Sequence, residues 1–200
     1  MKNIILIAAP AAGKGTLSEI LVEKYNYVHI STGDLLRDAA NSETKLGKKI
    51  SDMLSQGTLV SDDIVFELLE KRLSREDTKD GFILDGFPRT LDQAKKYDEI
   101  VNRLNIDLGS VIVLEADYET LKNRIVGRVL CKECGSVYNT LTGVNKPKRE
   151  NICDKCGGSL YKRSDDNAES FKTRYETYLE KTKPLIEFYK NTNYRSEEHT

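Results

Sequence analysis

No stretch of this chain approaches the roughly 18 consecutive apolar residues that a membrane-crossing helix requires. Neither sign of charge is in surplus, with 31 Lys and Arg against 32 Asp and Glu. The first absence argues against a membrane partner. The second argues against a broad basic face for nucleic acid, so any anion site must be local. Internal repeats and low-complexity linkers are missing as well, which leaves one large domain, or a core with small insertions. Histidine is scarce: His29 and His199 stand outside every motif. His29, on a short strand signal, reads as packed rather than catalytic. What remains is 200 residues of which 38% are hydrophobic, enough for a real interior. A cytoplasmic monomer is the expectation.

The most informative segment is Ala8-Ala9-Pro10-Ala11-Ala12-Gly13-Lys14-Gly15-Thr16. In a loop of pattern GxxxxGK[ST], successive N–H groups turn inward on a phosphate and the following helix offers its positive end. A Lys adds charge, and a hydroxyl reaches magnesium. Gly13, Lys14, Gly15 and Thr16 supply the second half of that pattern. Residues 2–8 read as a buried parallel strand. From Leu17 to Tyr25 the apolar residues recur at helical spacing, as Leu17, Ile20, Leu21 and Tyr25. Strand, loop and helix thus stand in the required order. Ala8 and Ala11 occupy positions where glycine would ease the turn and the approach to phosphate. A methyl group at positive φ costs about 1–2 kcal/mol. A secretion-signal reading of Lys2 and the short apolar run leaves Gly13-Lys14-Gly15-Thr16 unexplained.

The four cysteines form two C-x2-C knuckles, Cys131/Cys134 and Cys153/Cys156, separated by eighteen residues. That spacing folds two tight turns onto one tetrahedral zinc, and four thiolates leave no open position, so the metal would be structural. Gly135, Gly157 and Gly158 follow the knuckles where the chain must turn, and Tyr138 and Tyr161 can pack beside the site. Two disulfides or a redox pair are the competing readings. A cytosolic setting and two pairs in a polar insert disfavour them.

Strand and helix signals alternate through the rest. Strands are expected at 27–30, 82–85 and 109–114. Helices are expected at 33–40, 43–55, 62–73, 92–104 and 118–127, and one long helix at 168–189. Alternation implies a parallel sheet flanked by helices, with the ligand at the strands' carboxyl ends. The polar segment 132–162 is the one candidate subdomain. The last ten residues, 191–200, are polar and carry no strand signal.

Further motifs accompany the phosphate loop: Ser31-Thr32-Gly33-Asp34-Leu35-Leu36-Arg37, Gly57-Thr58-Leu59-Val60, Asp85-Gly86-Phe87-Pro88-Arg89-Thr90 with Gln93, Arg124 to Arg128, and Arg163-Ser164-Asp165-Asp166 with Arg174. Together with the cysteine knuckles they resemble adenylate kinase, the long form with a zinc-bearing lid, over residues 1 to about 190. The resemblance implies the α/β P-loop nucleoside monophosphate kinase fold. It implies a core of 1–30, 61–126 and 165–200, an AMP-binding subdomain at 31–60 and a lid at 127–164. The implied reaction is reversible phosphoryl transfer between MgATP and AMP, giving two ADP. It depends on positioning and charge neutralisation more than on covalent chemistry.

By the same resemblance, Gly13, Lys14, Gly15, Thr16, Arg124, Arg128 and Tyr138 bind ATP, and Arg163 and Arg174 bridge the transferring phosphoryl. Arg37 and Arg89 hold the AMP phosphate. Thr32, Gly33, Leu59, Val60, Gly86 and Gln93 line the AMP pocket, Gln93 facing the adenine edge. Asp85 fixes the waters of magnesium, with Asp34 assisting. Lys14, Asp85, Arg89, Arg124, Arg128, Arg163 and Arg174 form the catalytic set, and Cys131, Cys134, Cys153 and Cys156 bind zinc. Four departures stand beside it. Ala8 and Ala11 replace glycines, Leu17 replaces a common Gln, Val129 replaces a second Arg, and the last strand and closing helix of the family are expected to be missing. The first three are expected to weaken ATP handling. Rival readings are a zinc-stabilised nucleotide-binding protein with little turnover, a UMP/CMP kinase, and a zinc-ribbon nucleic-acid binder that the neutral charge opposes.

Overall fold

A computed structural model describes residues 3–107, 109–143, 145–191 and 196–199. β1 (Ile4–Ala8) is buried along its whole length, as its unbroken apolar run requires of a strand covered on both faces. α1 (Lys14–Tyr25) leads to β2 (Val28–Ser31), followed by α2 (Thr32–Ala40), α3 (Lys45–Gln56) and α4 (Asp62–Leu73). After a 3-10 turn at Glu76–Thr78 come β3 (Phe82–Asp85), α5 (Leu91–Arg103), β4 (Ser110–Leu114) and α6 (Tyr118–Val126). A small sheet of β5 (Arg128–Cys131), β6 (Val137–Asn139) and β7 (Leu160–Tyr161) precedes α7 (Ala168–Thr177), α8 (Pro184–Lys190) and β8 (Ser196–His199).

The main sheet is parallel in the order β2-β3-β1-β4-β8. Leaving β1 the chain passes to the β2 side, and from β3 it crosses to β4 on the other flank. The carboxyl end of β1 therefore lies at the switch point where such sheets open a crevice. Strand alternation sorts the core. Ile5, Ile7, Leu84 and Val113 face Leu69, Tyr97 and Leu185 of the helices on one side, and Ile4, Leu6 and Ile83 face Leu17, Leu21 and Val22 of α1 on the other. Each such buried side chain contributes about 1.5–3 kcal/mol. The small sheet is antiparallel, ordered β6-β5-β7, and its apolar cluster holds only Cys131, Tyr138, Cys153, Val129 and Leu160.

Helix starts follow local chemistry. Ser31, Thr44, Thr90, Asp117 and Asn167 each accept a hydrogen bond from the N–H three residues on, at 2.8–3.2 Å. α1 has no such side-chain cap: it begins behind Gly13, at φ 102°.

Three expectations change. The long helix at 168–189 is interrupted by a π turn at Tyr178–Thr182, where the Lys183 N–H donates to Tyr178 O at 2.8 Å. Pro184 has no N–H to continue the regular ladder and its ring would press on the preceding turn, so the register opens by one residue ahead of it. On α1, Ile20 and Tyr25 are exposed while Ser18 is buried, because the helix meets the sheet through Leu17, Leu21 and Val22. A fifth strand, β8, pairs with β4 where none was expected. A ladder uses main-chain groups and an open neighbouring edge, neither of which needs an apolar side-chain pattern. Lys2, read as the start of β1, lies outside the described residues, as do 192–195 of the polar tail. Among the described residues no helix is long and apolar enough to cross a membrane.

Candidate active site

The loop between β1 and α1 turns through Ala12 N to Ala9 O at 3.3 Å and enters the helix with Leu17 N on Gly13 O at 3.0 Å. Ala11 sits at φ 64°, in the left-handed region that penalises a side chain, as does Gly13 at φ 102° without penalty. Ala8 differs. It ends β1 in regular register with Leu114 and is not among the residues of positive φ, so the strain expected for it is absent.

The loop forms one wall of a cavity of about 1110 Å³. Gly13, Lys14, Gly15 and Thr16 line it, and so do Arg37, Arg89, Arg124, Arg128, Arg163 and Arg174, which come from α2, the loop after β3, α6, β5, the loop before α7 and α7 itself. Gly33, Asp34, Leu59, Asp85, Gly86 and Tyr138 complete the expected residues found there. Thr32, Val60 and Gln93 are buried but do not line it. Thr32 Oγ1 donates to Gly86 O at 2.8 Å, while Gln93 accepts from Arg89 N at 2.7 Å and donates to Asp62 Oδ1 at 2.6 Å. The Gln93 amide thus braces Arg89 from behind the wall. A side chain at Gly86 would be strained, since its backbone is left-handed at φ 78° and a Cβ would stand tightly at 3.0 Å from Thr32 Oγ1 and 3.1 Å from Arg89 Nη2.

Seven cations in one cavity repel one another and must be held. Arg128 Nε donates to Asp166 Oδ2 at 2.7 Å, and Arg174 Nη1 to Asp165 Oδ2 at 3.0 Å. Asp166 is fully buried. Arg37 and Arg163 share Asp34, at 2.6 and 3.1 Å. Lys14 Nζ donates to Ala8 O and Ala9 O at 3.2 and 3.3 Å, with Asp85 4.0 Å away. Arg89 Nε donates to Gly86 O at 2.6 Å. Exposed Arg124 has no ion pair among the described residues.

The charge states follow. Burial pushes the Lys14 ammonium down, which Asp85 offsets only in part while Arg89, Arg174 and Arg128 add to it. Burial and the neighbouring Arg128 and Arg89 lower Arg174 to about 10, against the pull of Asp165. Burial would raise Asp85, but the hydrogen bond from His29 and the charge of Lys14 hold it below its ordinary value. Arg37 and Arg163 do the same for Asp34. Lys14, Arg89, Arg163 and Arg174 are disfavoured as cations by burial first and by neighbouring arginines second, so the site gains by taking an anion.

His29, expected to be packed rather than catalytic, is the residue whose place the sequence did not reveal. Its Nε2 lies 3.4 Å from Asp85 Oδ2, and it lines the cavity with Ser31. Alternation along β2 puts positions 29 and 31 on one face, the one signal that could have found it. Asp165, Asp166 and Asp62 also went without a role, although Asp165 and Asp166 hold the cavity residues Arg174 and Arg128 in place and Asp62 holds Gln93, which in turn braces Arg89.

At the cavity's edge the four cysteines converge. All are free thiols, and their Sγ atoms lie within 4.8 Å of one another, with Cys131 to Cys156 at 3.4 Å and Cys134 to Cys153 at 3.6 Å. Bonds of about 2.3 Å in a tetrahedron require sulfurs roughly 3.8 Å apart, so this donor set fits one metal ion. Gly135 N on Cys131 O and Gly157 N on Cys153 O, at 3.1 and 2.9 Å, close the two turns through left-handed glycines. Tyr138 packs against the cluster, whereas Tyr161 is exposed: Leu160 takes the inward position of β7 and alternation turns its neighbour out.

The family model for adenylate kinase matches residues 6–194. The chain belongs to the adenylate kinase family. It is 48% identical over 191 residues to the adenylate kinase of Thermosipho africanus, covering 96% of this chain and 88% of that protein. Against the Fervidobacterium nodosum adenylate kinase the identity is 47% over 191 residues, 96% and 87% of the two chains. The Bacillus cytotoxicus adenylate kinase is 45% identical over 192 residues, 96% and 88%. Fold and phosphate loop thus agree with the family to which the sequence motifs pointed.

Proposed function

We propose that the cavity takes two nucleotides end to end, ATP on the phosphate loop and AMP against Arg37 and Arg89, and that the chain passes the terminal phosphoryl of ATP to AMP, giving two ADP. One observation carries this: seven basic residues from separate elements line a single cavity, far more positive charge than one phosphate group needs. Lys14 feels Arg89, Arg174 and Arg128, and Arg89 in turn feels Arg37. The cations therefore form a continuous path along which negative charge can be shared between donor and acceptor. Phosphoryl transfer asks for that, and for alignment. The acceptor is already an anion, so no general base is needed.

Bound phosphates take over the arginines that Asp34, Asp165 and Asp166 hold, each carboxylate having kept its partner near the required place. Thr16 and Asp85 offer the hard oxygen donors suited to magnesium, which arrives with ATP and neutralises its phosphate oxygens. Segments 31–60 and 127–164, as AMP-binding subdomain and lid, close over the nucleotides and exclude water that would otherwise hydrolyse ATP. Cys131, Cys134, Cys153 and Cys156 hold a structural zinc, because a lid with so small an apolar cluster has little else to keep it rigid. The enzyme works as a cytoplasmic monomer.

A coupled assay of ADP formation with ATP and each of AMP, UMP and CMP tests the reading. Turnover is expected with AMP. Equal or faster turnover with UMP or CMP, or none with AMP while the nucleotides still bind, overturns it.

A further inference from the structure

β6 presents two consecutive side chains to opposite sides. Asn139 reaches back to α6, its Nδ2 donating to Arg124 O at 3.0 Å, while Tyr138 turns into the cysteine cluster. Apart from the cysteines themselves, Tyr138 and Ser136 are the side chains that hydrogen-bond a cysteine sulfur among the described residues. It lies 3.3 Å from Cys153 Sγ and accepts a hydrogen bond from Asp154 N at 2.9 Å. With its lone pair engaged by that amide, the phenol's proton is directed at the sulfur. Tyr138 and Cys153 are both buried, and Tyr138 is also among the residues that line the cavity.

We propose that Tyr138 is an outer-shell positioning residue of the tetrathiolate metal site, its O–H donating to the Cys153 thiolate and raising the site's affinity for zinc. Four thiolates around a divalent ion carry two net negative charges, and a donor aimed at one sulfur spreads that charge and fixes the ligand's direction. The backbone N–H groups of Ser136 and Gly158 do this for Cys134 and Cys156. Tyr138 does it from a strand that faces the nucleotides. This inference rests on the zinc reading above.

Tyr138→Phe removes the hydroxyl and keeps the ring that packs on Val129 and Leu160. In competition between the zinc-loaded full chain and a chromophoric chelator, the variant is expected to bind zinc about 10–100-fold more weakly. Tyr161→Phe, a change at an exposed ring, is expected to stay within twofold. With cobalt in place of zinc, the thiolate-to-metal charge-transfer band is expected to move to lower energy in Tyr138→Phe, because the sulfur lone pair loses its donor. Wild-type chain carrying 3-fluorotyrosine, a stronger donor, is expected to move the band the other way, and needs no variant to fold. Unchanged affinity and an unshifted band in a wild-type background that does hold one zinc overturn the role of Tyr138 alone. A wild-type chain that takes up no zinc or cobalt overturns the metal reading and this inference with it.

Discussion

Ala8 and Ala11 both replace loop glycines in the sequence pattern, yet restoring glycine is expected to act on them with opposite sign. Ala11 is left-handed at φ 64°. Glycine there relieves about 1–2 kcal/mol of backbone strain, offset by about 0.4–1 kcal/mol because the unfolded chain gains freedom. The net gain is about 1 kcal/mol. Ala8 is a buried strand residue paired with Leu114. Glycine there loses about 0.8 kcal/mol of methyl burial and a further 0.5–1 kcal/mol, roughly, of backbone entropy. For a chain of this size 1 kcal/mol moves the melting temperature by about 2–4 °C. Ala11→Gly should therefore melt about 2–4 °C above the parent, and Ala8→Gly about 3–6 °C below it. Calorimetry on the nucleotide-free chain reads both shifts. The KM for ATP should fall in Ala11→Gly, whose position lines the cavity, and the melting shift should appear without nucleotide. Shifts of the same sign in the two variants would refute the reasoning, since it depends wholly on the difference in backbone conformation.

The cavity cations separate in a similar way. Arg128→Ala leaves fully buried Asp166 with Arg174, at 3.8 Å, as its one remaining ion pair among the described residues and should cost about 3–5 kcal/mol of stability. Arg124→Ala breaks no ion pair and should stay within about 0.5 kcal/mol while raising the KM for ATP about tenfold or more; equal melting temperatures for the two would contradict this. Removing the metal by chelation should lower the melting temperature by roughly 5–10 °C, the equivalent of about 2.7 kcal/mol for a ligand at 100 times its Kd. An unchanged melt after verified metal loss would count against a structural site. In acid, Asp34 and Asp85 sit below the ordinary carboxylate value of 3.8. They bind fewer protons folded than unfolded, so the stability they contribute is complete above that value and is lost as pH falls through their lower folded values. Melting temperature should be flat from pH 7 to about 5 and drop below about 4, less steeply in Asp85→Asn. A flat profile down to pH 3 would show that neither carboxylate matters to the fold.

Local chemistry was legible in the chain itself. A buried strand, Gly13-Lys14-Gly15-Thr16 and an apolar-periodic helix in that order dictate a phosphate loop, because backbone geometry over a dozen residues depends on those residues alone. Two C-x2-C knuckles bring thiols into reach of one ion for the same reason, and helix starts such as Ser31, Thr90 and Asp117 follow from the side chain at one position. Where Pro184 sits, a π turn rather than a straight helix was open to reading but not forced, since a kink, a break or a shifted register all answer the missing N–H. Only tertiary structure could decide what lies far apart in sequence. It turned His29 toward Asp85, set Gln93 behind Arg89 and onto Asp62, and gave Arg128 the buried partner Asp166. It also told Ala8 from Ala11, two alanines alike in any motif, by making one a strand residue and the other a left-handed turn. Pairings of this kind depend on register between β2 and β3 and on how α5 and α7 pack. Those are set by burial over the whole core, a quantity that no short stretch of sequence contains.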